Sequence, residues 1–228
     1  MSLVEENGTQ HLETPVDLVR ISPPGEPLSA FLVMFYYARG VFSGMQREDR
    51  KLWWSPSPRA VLFTDELHIS RSLRKTLRRG RYRVTADTAF EQVVRGCRDT
   101  RTGPDGPGSW ITEEIIDVFA LLHRLGHAHS IETWEGDQLV GGLYGACVGQ
   151  MFYGCSMFQR APDASKVALV HLVEHLGKWG APLLDCQMHN PHLKRMGARL
   201  INRVEFHGIV NTLVRGRRRV GSWTGIFT

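Results

Sequence analysis

A chain of 228 residues is long enough for one sizeable core or two small ones, and an apolar share of 42% is ordinary for a folded protein. Its four cysteines, Cys97, Cys147, Cys155 and Cys186, have neither paired metal spacing nor the density of a secreted disulfide scaffold, and they read as reduced thiols. A net charge of +5 permits an anionic partner, no apolar run approaches the ~20 residues of a membrane span, and the N-terminus lacks a signal-peptide pattern, so a soluble cytoplasmic protein is expected.

Residues 1–26 are polar and carry Pro15, Pro23 and Pro24, which predicts an extended arm. Leu28 to Arg39 is apolar nearly all round and stops at Gly40, the pattern of a buried helix with a C-terminal glycine. In Trp53-Trp54-Ser55-Pro56-Ser57-Pro58-Arg59 two prolines deny donors and fix the chain. That predicts a rigid loop presenting two indoles, either as core anchors or as a stacking surface for a base. After a short strand over Ala60 to Phe63, Ser70 can cap a helix that ends at Gly80. Seven cations, Arg71, Arg74, Lys75, Arg78, Arg79, Arg81 and Arg83, crowd this helix and the strand after it. They form either a solvated face or a surface for phosphates. Ala89 to Cys97 reads as another helix, and the Gly/Pro-rich stretch from Asp99 to Ser109 as a linker, which places a lobe boundary at 108/109.

Beyond it, Thr112 can cap a helix with Glu113 and Glu114 in its first turn and Gly126 at its end. Ala128 to Trp134 alternates as a strand, Glu135-Gly136-Asp137 turns it, and strands around Tyr144 and Phe152 extend an antiparallel sheet. Asp163 can cap a helix to Lys178, a strand ends in Asp185-Cys186-Gln187, and Asn190-Pro191 starts a short helix ending at Gly197. This order predicts an α+β fold. Cys186, His189 and His192 hold three soft ligands but no fourth, and read as a helix start without a metal. The tail from Arg215 to Arg219 is basic and expected to be mobile.

Several blocks resemble the leucyl/phenylalanyl-tRNA-protein transferase family. They are Leu52 to Pro56 with Pro58-Arg59, His68 to Arg71, Trp110-Ile111-Thr112, Leu122 to Trp134, Leu139 to Gly145, Ser156-Met157-Phe158, Ala164-Ser165-Lys166 and Asp185-Cys186-Gln187, in order from about Tyr37 to Phe206. The resemblance implies a small N-terminal α/β lobe (27–108) behind the arm (1–26), then a lobe with an N-acetyltransferase (GNAT)-like fold (109–214) and the basic tail (215–228). It also implies a monomer with no cofactor that moves an apolar amino acid, Leu, Phe or Met, from charged tRNA to the N-terminal amine of a protein beginning with Arg or Lys. Asp185 and Gln187 match the family's catalytic pair. Trp54, Trp110, Leu143, Phe152, Cys155, Ser156, Met157, Leu172 and Leu176 match its aminoacyl site, and the seven cations would hold the tRNA backbone.

Such a reaction needs little acid or base help. The ester is activated, the acceptor amine titrates near roughly 7.7–8.0, and alignment supplies much of the rate. An amide carbonyl at 187 can accept a hydrogen bond from the amine while the carboxylate at 185 orients it, and alternation points both to one side of a strand. Replacing either is expected to cost turnover without loss of folding. The chain also departs from the family: a Gly-Gly-Asp signature before the first helix and a Pro-Trp after it are missing, and Cys155 stands where the family has Glu. The thiol weakens donor binding, redirects it, or is itself a nucleophile; no cation lies beside it in sequence to activate it, so an acyl intermediate is not expected. Other readings are a transferase using a small-molecule amine, an inactive RNA-binding homologue, and an acyl-CoA acetyltransferase. The last is disfavoured because Arg160-Ala161-Pro162-Asp163 lacks phosphate-cradling glycines.

Overall fold

The structure, a computed structural model, describes residues 18–47, 50–100, 109–216 and 220–227. Within them the chain is a mixed α+β fold of seven helices and two sheets. The first half supplies β1 (Leu18–Ile21), α1 (Ala30–Tyr37), β2 (Phe42–Arg47), β3 (Arg50–Trp54), β4 (Arg59–Phe63), α2 (Arg71–Arg78), β5 (Arg83–Ala86) and α3 (Phe90–Asp99). The second supplies α4 (Glu113–Arg124), β6 (Ala128–Glu135), β7 (Gln138–Val148), β8 (Met151–Gln159), α5 (Ala164–Lys178), β9 (Leu183–Gln187), α6 (Pro191–Arg195), β10 (Arg199–Ile201) and α7 (Arg203–Leu213).

The main sheet runs β10-β4-β9-β8-β7-β6-β5, and β1-β3-β2 form a small antiparallel sheet beside it. Only β8 and β9 run parallel, because α5 carries the chain back across the face of the sheet between them. Strands β4 and β5 come from before residue 108, so the main sheet draws on both sides of the expected lobe boundary. Successive residues of each central strand alternate between two cores. Val61, Tyr153 and Leu183 join the cluster under α1, α3, α4 and α7, while Leu62, Phe152 and Leu184 join the cluster under α5.

Caps follow the sequence at most helix starts: Ser70, Thr112 and Asn190 each accept a backbone N–H of the first turn. Asp163 does not. It sits left-handed at φ 65° and makes no cap bond, and its carboxylate instead takes Lys166 Nζ and the Thr76 hydroxyl, which draws α2 onto α5. Helix α1 is also less buried than its composition suggests. Val33 and Tyr37 are inside, but Phe31 is 73% exposed, since only one side of the helix meets β2 and α4. The two indoles are not on a loop: they end β3, with Trp53 fully buried and its ring packed at a tilt against Tyr36 with centroids 4.2 Å apart, and the prolines act only after the strand. Of the N-terminal arm, residues 18–21 form β1 on the edge of β3; residues 1–17, the linker over 101–108 and the basic run 217–219 lie outside the described residues.

At the far end of the sheet a buried polar cluster fixes the C-terminal segment. Asp87 accepts the backbone N–H groups of Ser130 (3.0 Å) and Trp223 (2.7 Å), and His129 Nδ1 lies 2.9 Å from it. The Trp223 indole stacks on His129 at 3.8 Å and is only 2% exposed. Trp223 thus pins the segment after the basic run to the core, because one aromatic side chain brings enough buried area to hold a short segment; the basic run itself, expected to be mobile, lies mostly outside the described residues. Trp223→Ala should lower stability by about 3–5 kcal/mol in urea unfolding; a loss below about 1 kcal/mol would mean that the segment is not part of the core.

Candidate active site

Strand β9 ends inside the protein. Its apolar residues Leu183 and Leu184 are buried between β4 and β8, which carries Asp185 into the interior with no solvent exposure. A lone carboxylate there would be costly, and Arg59 at the start of β4 answers it. The guanidinium Nε donates to Oδ1 at 2.9 Å and Nη2 to Oδ2 at 2.6 Å, a bidentate fork with both side chains fully buried. The Phe42 and Phe206 rings hold the fork, 4.7 and 4.5 Å from the guanidinium carbon. Phe206 comes from α7, which also sends Arg203 Nη2 to the Ser55 carbonyl at 2.8 Å. Gly40, at φ 71°, lets the end of α1 close on this ring, where a Cβ would meet it at 2.7 Å.

The same carboxylate oxygen that takes Arg59 Nε accepts the Gln187 backbone N–H at 2.8 Å. Gln187 turns left-handed at φ 64°, and Met188 N–H bonds the Cys186 carbonyl at 2.8 Å. The strand thus ends in a tight turn that leaves Gln187 half-exposed beside the buried pair. Alternation alone does not describe this pair, since the two residues are joined by a bond from backbone to side chain.

Beside Asp185 lies Tyr153, its register partner on β8, whose ring stacks on Tyr37 at 4.9 Å. Cys155 occupies a bulge: Tyr144 pairs with Ser156 and Gly145 with Gly154, so β8 carries one extra residue there. Its Sγ lies 3.4 Å from the Tyr37 hydroxyl, and the residue is 8% exposed. Burial above all pushes the Cys155 thiol up to about 12, and the Tyr37 and Tyr153 hydroxyls are also raised, again chiefly by burial. A thiol in that state is neutral at physiological pH and a poor nucleophile.

The remaining aminoacyl-site candidates divide between the two cores. Trp54 and Trp110, both half-buried, pack on the cluster that contains Tyr37, Tyr153 and Cys155. Trp110, Trp53 and Tyr37 border an internal gap of about 10 Å³, no larger than one water. Leu143, Phe152, Met157, Leu172 and Leu176 lie together in the core beneath α5, where all but the half-buried Met157 are closed to solvent. Ser156 is buried opposite Tyr144. Of the soft-ligand set, Cys186 lies on the β9 end and His192 in α6, and among the described residues no group of three or more His, Cys, Asp or Glu could hold a metal ion.

The cations of α2 face solvent while Leu73 anchors the helix, and Arg71, Arg74, Lys75, Arg78 and Arg79 are all exposed. Arg81 and Arg83 are exposed too, but they engage the end of β6: Arg81 forks onto Glu135 at 2.7 and 3.0 Å, and the Arg83 guanidinium lies 5.3 Å from the Trp134 ring centre. Arg81 also borders an open cleft of about 810 Å³ with Gln92, Arg95, Asp99, Glu135 and Arg160. None of its lining residues belongs to the Asp185 cluster. Sequence reasoning missed Arg59, Tyr37 and Tyr153 as parts of the site. Arg59 had a local signal, a cation closing a Pro-x-Pro turn at a strand start; the tyrosines had none, since their role depends on which core they enter.

Comparison with known proteins bears on the whole arrangement. A sequence profile described as leucyl/phenylalanyl-tRNA protein transferase matches residues 61–211. The leucyl/phenylalanyl-tRNA-protein transferase of Anaeromyxobacter sp. (strain Fw109-5) is 53% identical over 182 residues, covering 80% of this chain and 77% of that protein. Those of Stutzerimonas stutzeri (strain A1501) and Chromobacterium violaceum are 54% and 48% identical, covering 75% and 84% of this chain and 74% and 81% of theirs. Among solved structures, that of L-PGS from Bacillus licheniformis aligns over 71% of this chain and 65% of its own with a TM-score of 0.41 and 13% identity, too low a likeness to carry the fold. With a family match over most of its length and relatives near 50% identity, the chain belongs to the leucyl/phenylalanyl-tRNA-protein transferase family.

Proposed function

We propose that this chain moves an apolar amino acid, Leu, Phe or Met, from charged tRNA to the α-amine of a protein beginning with Arg or Lys, acting as a cytoplasmic monomer without a cofactor. Family membership supports the reaction class. The observation that carries the site is the β9 end, where a half-exposed amide-bearing residue is bonded to a buried carboxylate. Among the described residues no helix is long and apolar enough to cross a membrane.

In this reading the Gln187 carbonyl accepts a hydrogen bond from the incoming amine and aligns it on the ester, with Asp185 setting the alignment. Orientation of this kind supplies several kcal/mol without strong base catalysis. Trp54 and Trp110 stack the aminoacyl-adenosine. Leu143, Phe152, Leu172 and Leu176, with Met157 at their edge, form the apolar wall beneath α5 in this reading, while Cys155, as a neutral thiol, lies with Trp54 and Trp110 in the other core. The exposed row on α2 holds tRNA phosphates without reading bases, joined by Arg81 and Arg83. A GNAT-like unit centred on β8, α5 and β9, within a second lobe starting near 109, is the corresponding reading of the fold; the parallel β8-β9 pair supports it. The transferase relatives favour neither a small amine nor a silent RNA-binding role.

Incubation with tRNA charged with labelled Leu, Phe or Met and an Arg-initiated peptide tests this: label should enter the peptide. Label in a small amine alone, or bound tRNA with no transfer, would replace the proposal.

Gln187→Ala should lower kcat at least about tenfold with an unchanged unfolding midpoint, because the side chain supports alignment and not packing. Asp185→Ala should not behave as a clean active-site variant: it strands the buried Arg59 charge, and a stability loss of about 3–5 kcal/mol is expected by denaturant unfolding. Unchanged turnover in Gln187→Ala would remove the site assignment.

Cys155 should carry no aminoacyl group. Intact-protein mass spectrometry after incubation with charged tRNA and no acceptor should show the unmodified mass, whereas an adduct lost in Cys155→Ser would identify a thioester intermediate.

Replacing Arg74, Lys75 and Arg78 together by Ala should weaken binding of full-length charged tRNA and reduce the slope of log affinity against log salt by about 2 to 3 units. Activity on a minimal aminoacyl-adenosine donor should stay within about twofold of the parent, since that donor has no stem to bind. Equal losses on both donors would mean that the row supports the fold.

A further inference from the structure

We propose that Arg59 is a positioning residue for the transfer: its fork makes Asp185 a fixed strut that holds the Gln187 turn, and Asp185 is not a base for the attacking amine. This rests on Gln187 being the group that aligns the amine. The starting point is the occupancy of the carboxylate. Oδ2 takes Arg59 Nη2 at 2.6 Å, and Oδ1 takes both Arg59 Nε at 2.9 Å and Gln187 N–H at 2.8 Å. Three charge-assisted or backbone donors thus converge on two oxygens that have no solvent exposure. A general base must lie within hydrogen-bond reach of the proton it takes, directly or through one water. Asp185 instead faces Arg59 on one side and its own strand end on the other.

The turn needs such a strut. A non-glycine residue at φ 64° is in the left-handed region, at a cost of roughly 1–2 kcal/mol for most L-residues. The Gln187 N–H bond to Oδ1 offsets that cost, and it does so only while Oδ1 is held in place. Two features hold it: the planar fork, which fixes both oxygens at once, and the Phe42 and Phe206 rings at 4.7 and 4.5 Å, which fix the fork. Lysine at 59 would keep the charge and lose the fork, since an ammonium is a point donor. The strut could then rock, and the Gln187 amide with it.

The test is a double-mutant cycle on kcat with Arg59→Lys, Gln187→Ala and the double variant, using charged tRNA and an Arg-initiated peptide. Arg59→Lys should lower kcat about tenfold and leave KM for the tRNA within about twofold. In the Gln187→Ala background the same change should cost less than about twofold, because the group it positions is gone. Full additivity would overturn the proposal while leaving Gln187 in place, whereas wild-type turnover in Gln187→Ala alone would instead sink the underlying site reading. Asp185→Asn gives a second arm, since an amide oxygen can still accept the Gln187 N–H but cannot act as a base, while one fork bond is lost: kcat within about a hundredfold of the parent in folded protein is expected, and any larger loss overturns the strut. A third arm needs no variant. The Gln187 amide of the wild-type protein should exchange with solvent at least about a hundredfold more slowly than in an unstructured chain, and an unprotected amide overturns the proposal whatever the variants do.

Discussion

The buried ion pair between Arg59 and Asp185 is the constraint around which the site is assembled. Two charges without solvent exposure are tolerable only with near-ideal geometry, and the fork at 2.9 and 2.6 Å provides it. Its demands reach far along the chain. The loop carrying Pro56 and Pro58 must deliver Arg59 to the start of β4, α7 must bring Phe206 onto the guanidinium, and α1 must end in a glycine so that its last turn clears that ring. Segments near residues 40, 59, 185 and 206 therefore meet at one point. A pair of this kind does not by itself add much net stability, and removing one partner is far worse than having neither. Its role is to specify geometry.

The surroundings of the pair bear on the departure at position 155. Position 155, where the sequence resemblance leads one to expect a glutamate, carries a neutral thiol in a β8 bulge, against the Tyr37 hydroxyl and the stacked Tyr37 and Tyr153 rings. A carboxylate there would sit close to Asp185 in a low-dielectric region, where like charges are costly. The thiol avoids that repulsion and leaves Asp185 matched by the Arg59 guanidinium. The family's reaction can tolerate this on physical grounds, because an activated ester and a partly neutral amine need positioning more than proton transfer.

The opposite end of the sheet serves as scaffold. Glu132, fully buried, accepts the hydroxyls of Ser130, Thr85 and Thr88, and Asp87 gathers Ser130, His129 and Trp223. Ser130, His129 and Glu132 belong to β6 (Ala128–Glu135). Their chemistry goes into joining β5, β6 and the C-terminal segment.

Much of the local structure was legible in the sequence. Ser70 and Thr112 marked helix starts, the alternation from Ala128 to Trp134 marked a strand, and the Asp185-Cys186-Gln187 block marked a strand end, because caps and period-two patterns act over a few residues. The family blocks likewise pointed to the reaction class. What tertiary structure decided was partnership. That Arg59 is Asp185's counter-ion, 126 residues away, follows from β4 lying beside β9 in the sheet, which no local pattern encodes. Helix α7 went unread although Asn202 caps it onto Glu205, and with it went the ring that holds Arg59. Composition also misjudged Phe31: an apolar helix stayed half in solvent, because burial depends on which surface a segment meets and not on its own residues alone.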